Sequence, residues 1–304
     1  MSGNIEQVKL GYLAQIDERI KGLNGHAQDA SNSLQVHARE IFESAEFPGR
    51  KDEDWKYTPV RPILSKLYGP AQAGAGTFEA PEDLEAYTFH FVNGHLTKHP
   101  RVLPEGVFAG RLSEAWELEA LHDQLQSLTE ELKASGIGPF ESMAMGLSSD
   151  PMGVFVVKNM TLDKPLHFVY EVTSSESFAA HPYHLISIGK SAQATVIESF
   201  LRGDNETEYY TNAGNRIFLA ENSRFKHYRL QAESYHAFHT SHTTVMQERD
   251  SHYGIHIAEL GSKLTRHNLH IEHKGENISS NIYGLFISRE SQHIDTQSFI
   301  DHAM

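Results

Sequence analysis

Histidine is the residue type with the widest chemical potential in this 304-residue sequence, where it occurs 20 times and 13 times from His181 onward. An imidazole is a metal ligand, a general base or an ordinary polar side chain on an exposed strand. The sequence contains no cysteine. Disulfides, thiolate catalysis and metal ligation by cysteine are therefore excluded for these residues.

The pair His293 and Asp295 is the most specific arrangement among these histidines. In the β-rich segment QHIDTQSFIDH they stand two residues apart, so a strand places both side chains on one face. A carboxylate beside an imidazole orients it and selects its tautomer, as in metal sites and general-base pairs, although a plain hydrogen bond is the alternative. No catalytic residue is predicted, because no nucleophile elbow, HExxH motif or paired-carboxylate signature accompanies the pair.

A second candidate row lies in the segment LTRHNLHIEH. Strand alternation puts His267, Leu269, Ile271 and His273 on one face, and leaves a wholly polar row on the other. We expect this polar row to face solvent, with a polar solenoid interior as the alternative. A metal site is not identified by the sequence; the candidate residues are His293, Asp295, His302, Arg266 and Asn268.

Two other motifs do not support a site. His236, His239 and His242 would share a face on a helix, but a strand points His239 away from the other two. Gly189-Lys190-Ser191 imitates the end of a phosphate loop, but the position of the first glycine is occupied by His184. Nucleotide binding at this point is rejected.

The elements that position these residues change character along the chain. Leu10, Leu13, Ile16, Ile20 and Leu23 have helical spacing, and a second helix is predicted over residues 31–46. From about residue 153 onward, short β-branched and aromatic runs alternate with turns. We therefore divide the chain into an α-rich domain at 1–150 and an incomplete β-domain at 151–304.

The spacing of the turns bears on the β-fold. Polar turn pairs begin at Lys190, Asn222, Asp250 and Glu276, so their separations shrink from 32 to 28 to 26 residues. A loose period of this length makes a β-solenoid about as probable as a sandwich on spacing alone. No helical pattern of ten to fifteen residues lies between the strands, which argues against βαβ units.

Charge and hydropathy limit the partners. The formal net charge of -14 repels phosphate backbones, so no nucleic-acid partner is expected. No run of eighteen apolar residues exists, and the first residues lack the apolar core of a signal peptide. We therefore expect no membrane partner and a cytoplasmic location, with which the lack of cysteine agrees.

Three segments together resemble the SufB/SufD family of the Suf iron–sulfur assembly system, and within it the SufD branch. The first contains Glu53, Trp55, Lys56, Tyr57 and Thr58 in the stretch EDWKYTP after the helical pair. The second is the coil HLISIGKSAQATVIESF at residues 184–200, and the third extends from Gly261 through the His293–Thr296 segment to His302. The order and spacing agree from about residue 45 to the end.

This resemblance implies the fold and the role. The fold implied is mainly β, a right-handed parallel β-helix built as a single-stranded solenoid behind an N-terminal α-rich region. The role implied is a non-catalytic scaffold that acts with SufB and the ATPase SufC in iron acquisition and cluster assembly. No cofactor is expected to be bound stably by this chain, although iron or an Fe–S cluster would be held transiently on the full complex.

The resemblance also shows one departure. Family members usually continue beyond the segment that ends here at Met304, with further coils, a C-terminal helical domain that contacts SufC, and a histidine implicated in cluster assembly. We therefore expect a fragment or a truncated member in which the C-terminal helical domain is absent and SufC binding is weak. We expect an open coil near Ile294–Ile300 to associate with itself and form a homodimer.

Two further functions remain as alternatives at this stage. A β-solenoid enzyme acting on polysaccharide would need acidic side chains clustered on one strand face, where this sequence has mainly His, Thr and Asn. A stand-alone, histidine-rich metal-binding module would be distinguished from a scaffold by metal titration.

Whichever function holds, Trp55 is expected to be a structural anchor. Replacing it with alanine should lower the free energy of unfolding by roughly 3–5 kcal/mol.

Overall fold

The computed structural model describes residues 2–22, 30–70, 72–79, 84–202 and 206–302. Leu23, the last position of the first helical pattern, lies outside them. The helices are α1 (Ser2–Gly22), α2 (Ala30–Ser44), α3 (Leu112–Trp116), α4 (His122–Ala134) and α5 (Pro139–Leu147). The strands are β1 (Tyr87–Val92), β2 (His95–Lys98), β3 (Val107–Arg111), β4 (Met152–Val156), β5 (Leu166–Glu171), β6 (Ala179–Ala180), β7 (Tyr183–Ile188), β8 (Gln193–Leu201), β9 (Tyr210–Leu219), β10 (Arg224–Ala232), β11 (Phe238–Gln247), β12 (His252–Glu259), β13 (Leu264–His273), β14 (Ser279–Phe286) and β15 (His293–Asp301).

The strands form a parallel β-helix of about five turns. The strands form two sheets, one in the order β14-β12-β10-β8-β5-β1-β2 and the other in the order β15-β13-β11-β9-β7-β4-β3, and from β7 onward successive strands alternate between them. From β4 onward the pairing within each sheet is parallel, whereas β1 with β2 and β3 with β4 are antiparallel. The solenoid expected from the turn spacing and the resemblance is confirmed, and the antiparallel sandwich is excluded.

One recurring turn explains the spacing read from the sequence. Ser191, Asn222, Asp250 and Asn277 each have a positive φ, between 56° and 60°, and fall once per coil. Asn and Asp tolerate this left-handed region better than other non-glycine residues. Their backbone amides continue the ladder between coils, with the Asn222 amide donating to the Arg249 carbonyl at 3.1 Å. Each coil therefore turns at the same place in the stack.

The interior of the solenoid is apolar at its centre. Strand alternation brings Val196, Phe225, Ile255 and Ile271 into one buried cluster with the aromatic residues of β1 and β5. Strand β1 precedes residue 150 yet pairs with β5, so the first coil draws on the N-terminal region. The boundary between domains at residues 150 and 151 stays a prediction.

The helices cover the outer face of the sheet that contains β9, β11 and β13. Helix α5 is buried from Phe140 to Leu147, and Phe140 and Met143 join a cluster with residues of α1, α2 and these strands. Arg216 of β9 anchors α5 by two contacts with the Glu141 carboxylate, at 2.5 and 3.0 Å. Within the described segments, none of the helices has the length and apolar character needed to cross a membrane.

Candidate functional site

The segment that carries the EDWKYTP motif forms a compact turn against the solenoid. Residues Glu53–Trp55 make one turn of 3-10 helix, which the Asp52 carbonyl begins by accepting the Trp55 backbone amide at 3.0 Å. The Asp52 carboxylate accepts the Gly49 amide at 2.6 Å and closes the loop before it. This local geometry directs Trp55 and Thr58 toward the protein, while Glu53, Lys56 and Tyr57 are exposed.

Trp55 packs on both parts of the molecule. Its ring stacks with Phe140 of α5 at 5.1 Å between centroids and 23° between planes. The Arg266 guanidinium carbon of β13 lies 4.6 Å from the Trp55 ring centroid, within the range of a cation–π contact. The indole is half-buried and anchored. The anchoring role expected for Trp55 from the sequence stays a prediction about stability.

Thr58 is fully buried and joins the predicted pair His293 and Asp295 of β15. Its hydroxyl donates to the Asp295 carboxylate, because an ionised carboxylate can only accept. The remaining contact, 3.1 Å between Thr58 Oγ1 and His293 Nε2, must then be donated by the imidazole. The geometry therefore places a proton on His293 Nε2 and leaves that nitrogen unable to bind a metal.

Arg266 is the centre of this network. It forms an ion pair with Asp295, donates from Nε to Asn268 Oδ1 at 2.8 Å, and donates to Gln297. Gln297 in turn donates to the Asp54 carboxylate at 2.7 Å. The guanidinium supplies the positive charge that Asp295 faces, so this carboxylate is already paired without a metal.

The expectation that the polar row of β13 faces solvent is wrong at Arg266, which is 1% exposed. Arg266 does point outward from the solenoid, as strand alternation requires, but the Trp55 turn covers it. Asn268, His270 and Glu272 are partly buried. A segment about 200 residues earlier in the chain provides the cover, which alternation within one strand cannot reveal.

The structure divides the five candidate metal residues into two places. His293, Asp295, Arg266 and Asn268 meet at the Thr58 network, whereas His302 follows β15 and contacts His273 of β13 instead. Across the described part of the chain, no three His, Asp or Glu side chains are grouped so that they could hold a metal ion. The assignment of a metal to the candidate set stays a prediction.

A surface cavity of about 610 Å³ opens beside the Thr58 network. Aromatic side chains and three carboxylates, Glu46, Asp52 and Asp54, line it; the full lining is Glu46, Phe47, Pro48, Asp52, Asp54, Trp55, Gly138, Pro139, Phe140, His242, Asn268, Leu269, His270, Gln297 and Phe299. Burial and the nearby Arg266 and Arg216 charges lower the pKa of His242 to about 3, so its imidazole is neutral. None of these lining residues is a Ser, Thr or Lys.

The sequence interpretation missed a set of charged residues inside the solenoid. Glu198 of β8 is buried and accepts from His227 Nε2 at 2.8 Å and from Asn215 at 3.0 Å. Burial works to raise the pKa of Glu198, but the hydrogen bond from His227 and the charges of His227, His184 and Arg229 hold it at about 2. Glu198 lies on the same face of its strand as Val196 and Phe200. These apolar neighbours on one face were the sequence signal that Glu198 is buried.

A second interior cluster lies one coil further. Glu233 accepts from Thr211 at 2.6 Å and contacts His239 at 2.5 Å, while Arg229 contacts Glu259 at 3.5 Å. These side chains are all buried. Because an unpaired buried charge is costly, each group is matched with a partner of opposite charge or with a hydrogen bond. The interior therefore combines an apolar centre with a paired polar layer.

Comparisons with known proteins agree along the whole chain. The family profile described as SufBD protein N-terminal region matches residues 6–168, and the profile described as SUF system FeS cluster assembly, SufBD core domain, matches residues 170–304. The junction at Trp55 and Thr58 therefore connects the two matched regions. Arg266, His293 and Asp295 contribute from the second.

Three curated proteins are similar over most of this chain. An iron–sulfur cluster assembly SufBD family protein of Synechocystis is 26% identical, over 95% of this chain and 68% of its own length. The chloroplastic protein ABCI7 of Arabidopsis thaliana is 27% identical, over 96% and 64%. The iron–sulfur cluster assembly protein SufD of Escherichia coli is 26% identical, over 90% and 63%. The chain thus spans about two thirds of the length of these relatives.

Proposed function

The chain belongs to the SufBD family of iron–sulfur cluster assembly proteins, and from this premise we propose that it is a SufD-type scaffold subunit of the Suf system. The observation that carries the proposal is the match of both family regions in sequence order along one chain. The three similar proteins support it, two of them by names that state iron–sulfur cluster assembly.

The role proposed is non-catalytic. The chain offers a rigid parallel β-helix whose described buried charges form ion pairs or accept hydrogen bonds, as in the Arg216–Glu141 and Arg266–Asp295 pairs. Such groups stabilise one structure and are not free to act on a substrate. Iron or a nascent cluster is the cargo of the assembled complex, and we expect no cofactor to remain on this chain.

The partners proposed are SufB and the ATPase SufC, in the cytoplasm. The support is the family membership together with the net charge of -14, which disfavours nucleic acid. Among the described helices none could span a bilayer, so a membrane partner has no support. A homodimer through the last coil is the competing assembly.

The test is assembly with purified partners. The chain is co-expressed with SufB and SufC, and the mass of the complex is measured by size-exclusion chromatography with light scattering. We expect a stoichiometric complex that contains this chain and SufB. The matched control replaces exposed Tyr57 with alanine, which should leave assembly unchanged.

A functional measurement completes the test. A bacterial strain that lacks its own SufD is grown under iron limitation with or without this chain, and the activity of an iron–sulfur enzyme is followed. Recovery of that activity supports the proposal. The proposal is wrong if the chain folds but binds neither SufB nor SufC and does not restore the enzyme activity.

A further inference from the structure

Two histidines at one end of the sheet face each other across neighbouring strands. His273 is the last residue of β13, and His302 directly follows Asp301 at the end of β15. The two strands are parallel, with Glu272 opposite Asp301, so the next residues are also opposite. Their Nδ1 atoms are 3.2 Å apart, and the rings are nearly perpendicular at 77°, with centroids 4.8 Å apart.

The hydrogen bonds behind His273 select its tautomer. Gln247 Nε2 donates to Ser251, which directs Gln247 Oε1 toward Ser280. The Ser280 hydroxyl donates to that oxygen at 2.6 Å, since an amide oxygen can only accept. Ser280 Oγ therefore accepts the 2.8 Å contact from His273 Nε2. The proton of His273 lies on Nε2, and the lone pair of Nδ1 points at His302.

This arrangement matches the support that metal-binding histidines need. A ligating imidazole typically donates its other ring N–H to a fixed acceptor, which orients the ring and increases the basicity of the ligating nitrogen. Ser280, held by Gln247, is such an acceptor. With its proton held on Nε2 by Ser280, His273 has the lone pair of Nδ1 available for a metal ion.

We propose that His273 Nδ1 and His302 Nδ1 bind one divalent transition-metal ion of the zinc, iron and cobalt class. Imidazole–zinc bonds are about 2.0–2.1 Å long, so two nitrogens 3.2 Å apart subtend an angle of about 103° at the metal, close to tetrahedral.

In the metal-free chain the same contact is a hydrogen bond, with His302 Nδ1–H donating to His273 Nδ1. Metal binding at His302 Nδ1 requires the other neutral tautomer, in which that proton lies on Nε2, so the pair releases no net proton. Over the described residues no third His, Asp or Glu joins the pair. The remaining coordination positions are therefore open to water or to a ligand from another molecule, which suits exchangeable rather than structural metal.

This site does not rest on the proposed function, because it follows from the geometry of four side chains. Its ligand pair also differs from the predicted set around His293 and Asp295. The predicted set contains His302 but not His273, which strand alternation places on one face with Leu269 and Ile271. The strand register decides that these two residues meet.

The experiment uses the 304-residue chain, stripped of metal with a chelator, and titrates it with Zn²⁺ by calorimetry and with Co²⁺ by visible absorption. The parent is compared with His302→Gln and His273→Gln. We expect one equivalent of metal to bind the parent, and each variant to lose at least about tenfold in affinity, as expected when one of two protein ligands is removed. Ser280→Ala should lose about 10–100-fold, as for other hydrogen-bond partners of metal-binding histidines.

The matched control is His236→Gln, because His236 is exposed and outside this pair; its affinity should equal that of the parent. His273 is buried and its variant could misfold, but His302 is exposed, so His302→Gln keeps the test decisive. If His302→Gln binds both metals with the affinity and stoichiometry of the parent, the contact is a hydrogen bond only and the proposal is wrong. This readout needs no partner, so it is separate from the assembly test above.

Discussion

The Arg266 guanidinium lies 4.6 Å from the centre of the Trp55 ring, across more than 200 residues of sequence. This contact and the Thr58–Asp295 hydrogen bond connect the EDWKYTP turn to the last two coils of the solenoid. The N-terminal region therefore packs against the outer face of β13 and β15 and connects these two strands. Its residues contribute to stability, and they shield a buried charge from water.

Replacing Trp55 with alanine should lower the free energy of unfolding by about 3 kcal/mol, the lower end for a tryptophan, because the ring is half-buried. The loss combines the stack on Phe140 with the exposure of Arg266. Urea denaturation measures it. Tyr57→Ala is the matched control, since Tyr57 is 76% exposed and should change stability by less than about 0.5 kcal/mol. Equal midpoints for both variants would show that Trp55 is not an anchor.

Thr58→Val removes one hydroxyl and keeps the shape of the side chain. The partly buried His293 and Asp295 each lose the hydrogen bond made by the buried Thr58 hydroxyl, so we expect a loss of about 1–3 kcal/mol. Thr58→Ser retains the hydroxyl and should lie nearer the parent. A valine variant as stable as the parent, measured by urea denaturation, would mean that water replaces the hydroxyl without cost.

The Arg216–Glu141 pair should behave as a buried ion pair. Arg216→Met leaves the Glu141 carboxylate buried without a counter-charge and should cost about 3–5 kcal/mol. Adding Glu141→Leu in the same chain should recover most of that loss. The control is Arg249→Met, which breaks an exposed pair with Glu221 and should cost less than about 1 kcal/mol. Thermal and urea unfolding of the three variants decide between these expectations.

Stability should fall in mild acid because of two buried histidines, His167 and His184. Burial lowers the pKa of His167 to about 4, and burial together with His227, against Glu198, lowers that of His184 to about 4. The unfolded chain binds protons at these groups near pH 6.5, whereas the folded chain does not until about pH 4. Their contribution is thus fully present above pH 6.5 and is lost as the pH falls from 6.5 to 4, by on the order of 2 kcal/mol per group at pH 5.

The measurement is urea denaturation at pH 7.5, 6.0 and 5.0 for the parent and for His184→Gln. The variant lacks one titrating group, so its midpoint should depend less steeply on pH. Parallel curves for the two proteins would contradict the assignment. The exposed residue His236 gives the control variant, His236→Gln, whose pH dependence should follow that of the parent.

The last coil should promote self-association of the 304-residue chain. Phe286 is 67% exposed, and Tyr283, Leu285, Phe299 and Ile300 are exposed as well. Strands β14 and β15 each pair on one side only within the described sheets, and unpaired edges of this kind template association. We expect dimers or larger species by light scattering at micromolar concentrations, and fewer of them for Ile300→Lys. A chain that remains monomeric under these conditions would contradict this prediction.

The sequence by itself determined the class of fold and the family. Helical spacing near Leu13 and Ile16 depends only on neighbouring residues, and so does the recurrence of turn residues such as Asn222 and Asp250, each of which adopts a left-handed turn in the structure. Strand alternation also placed Leu269 and Ile271 inside and Arg266 outside. These periodicities are local, so a single sequence contains them.

Only the tertiary structure decided what covers each face. Arg266 is buried because a distant turn lies over it, and Glu198 is tolerated inside because His227 on the neighbouring coil pairs with it. His302 meets His273 because β13 and β15 pair in parallel with Leu264 opposite His293. Contacts of this kind depend on how coils stack, and the energy of a buried charge depends on its surroundings in three dimensions, which residue spacing does not encode.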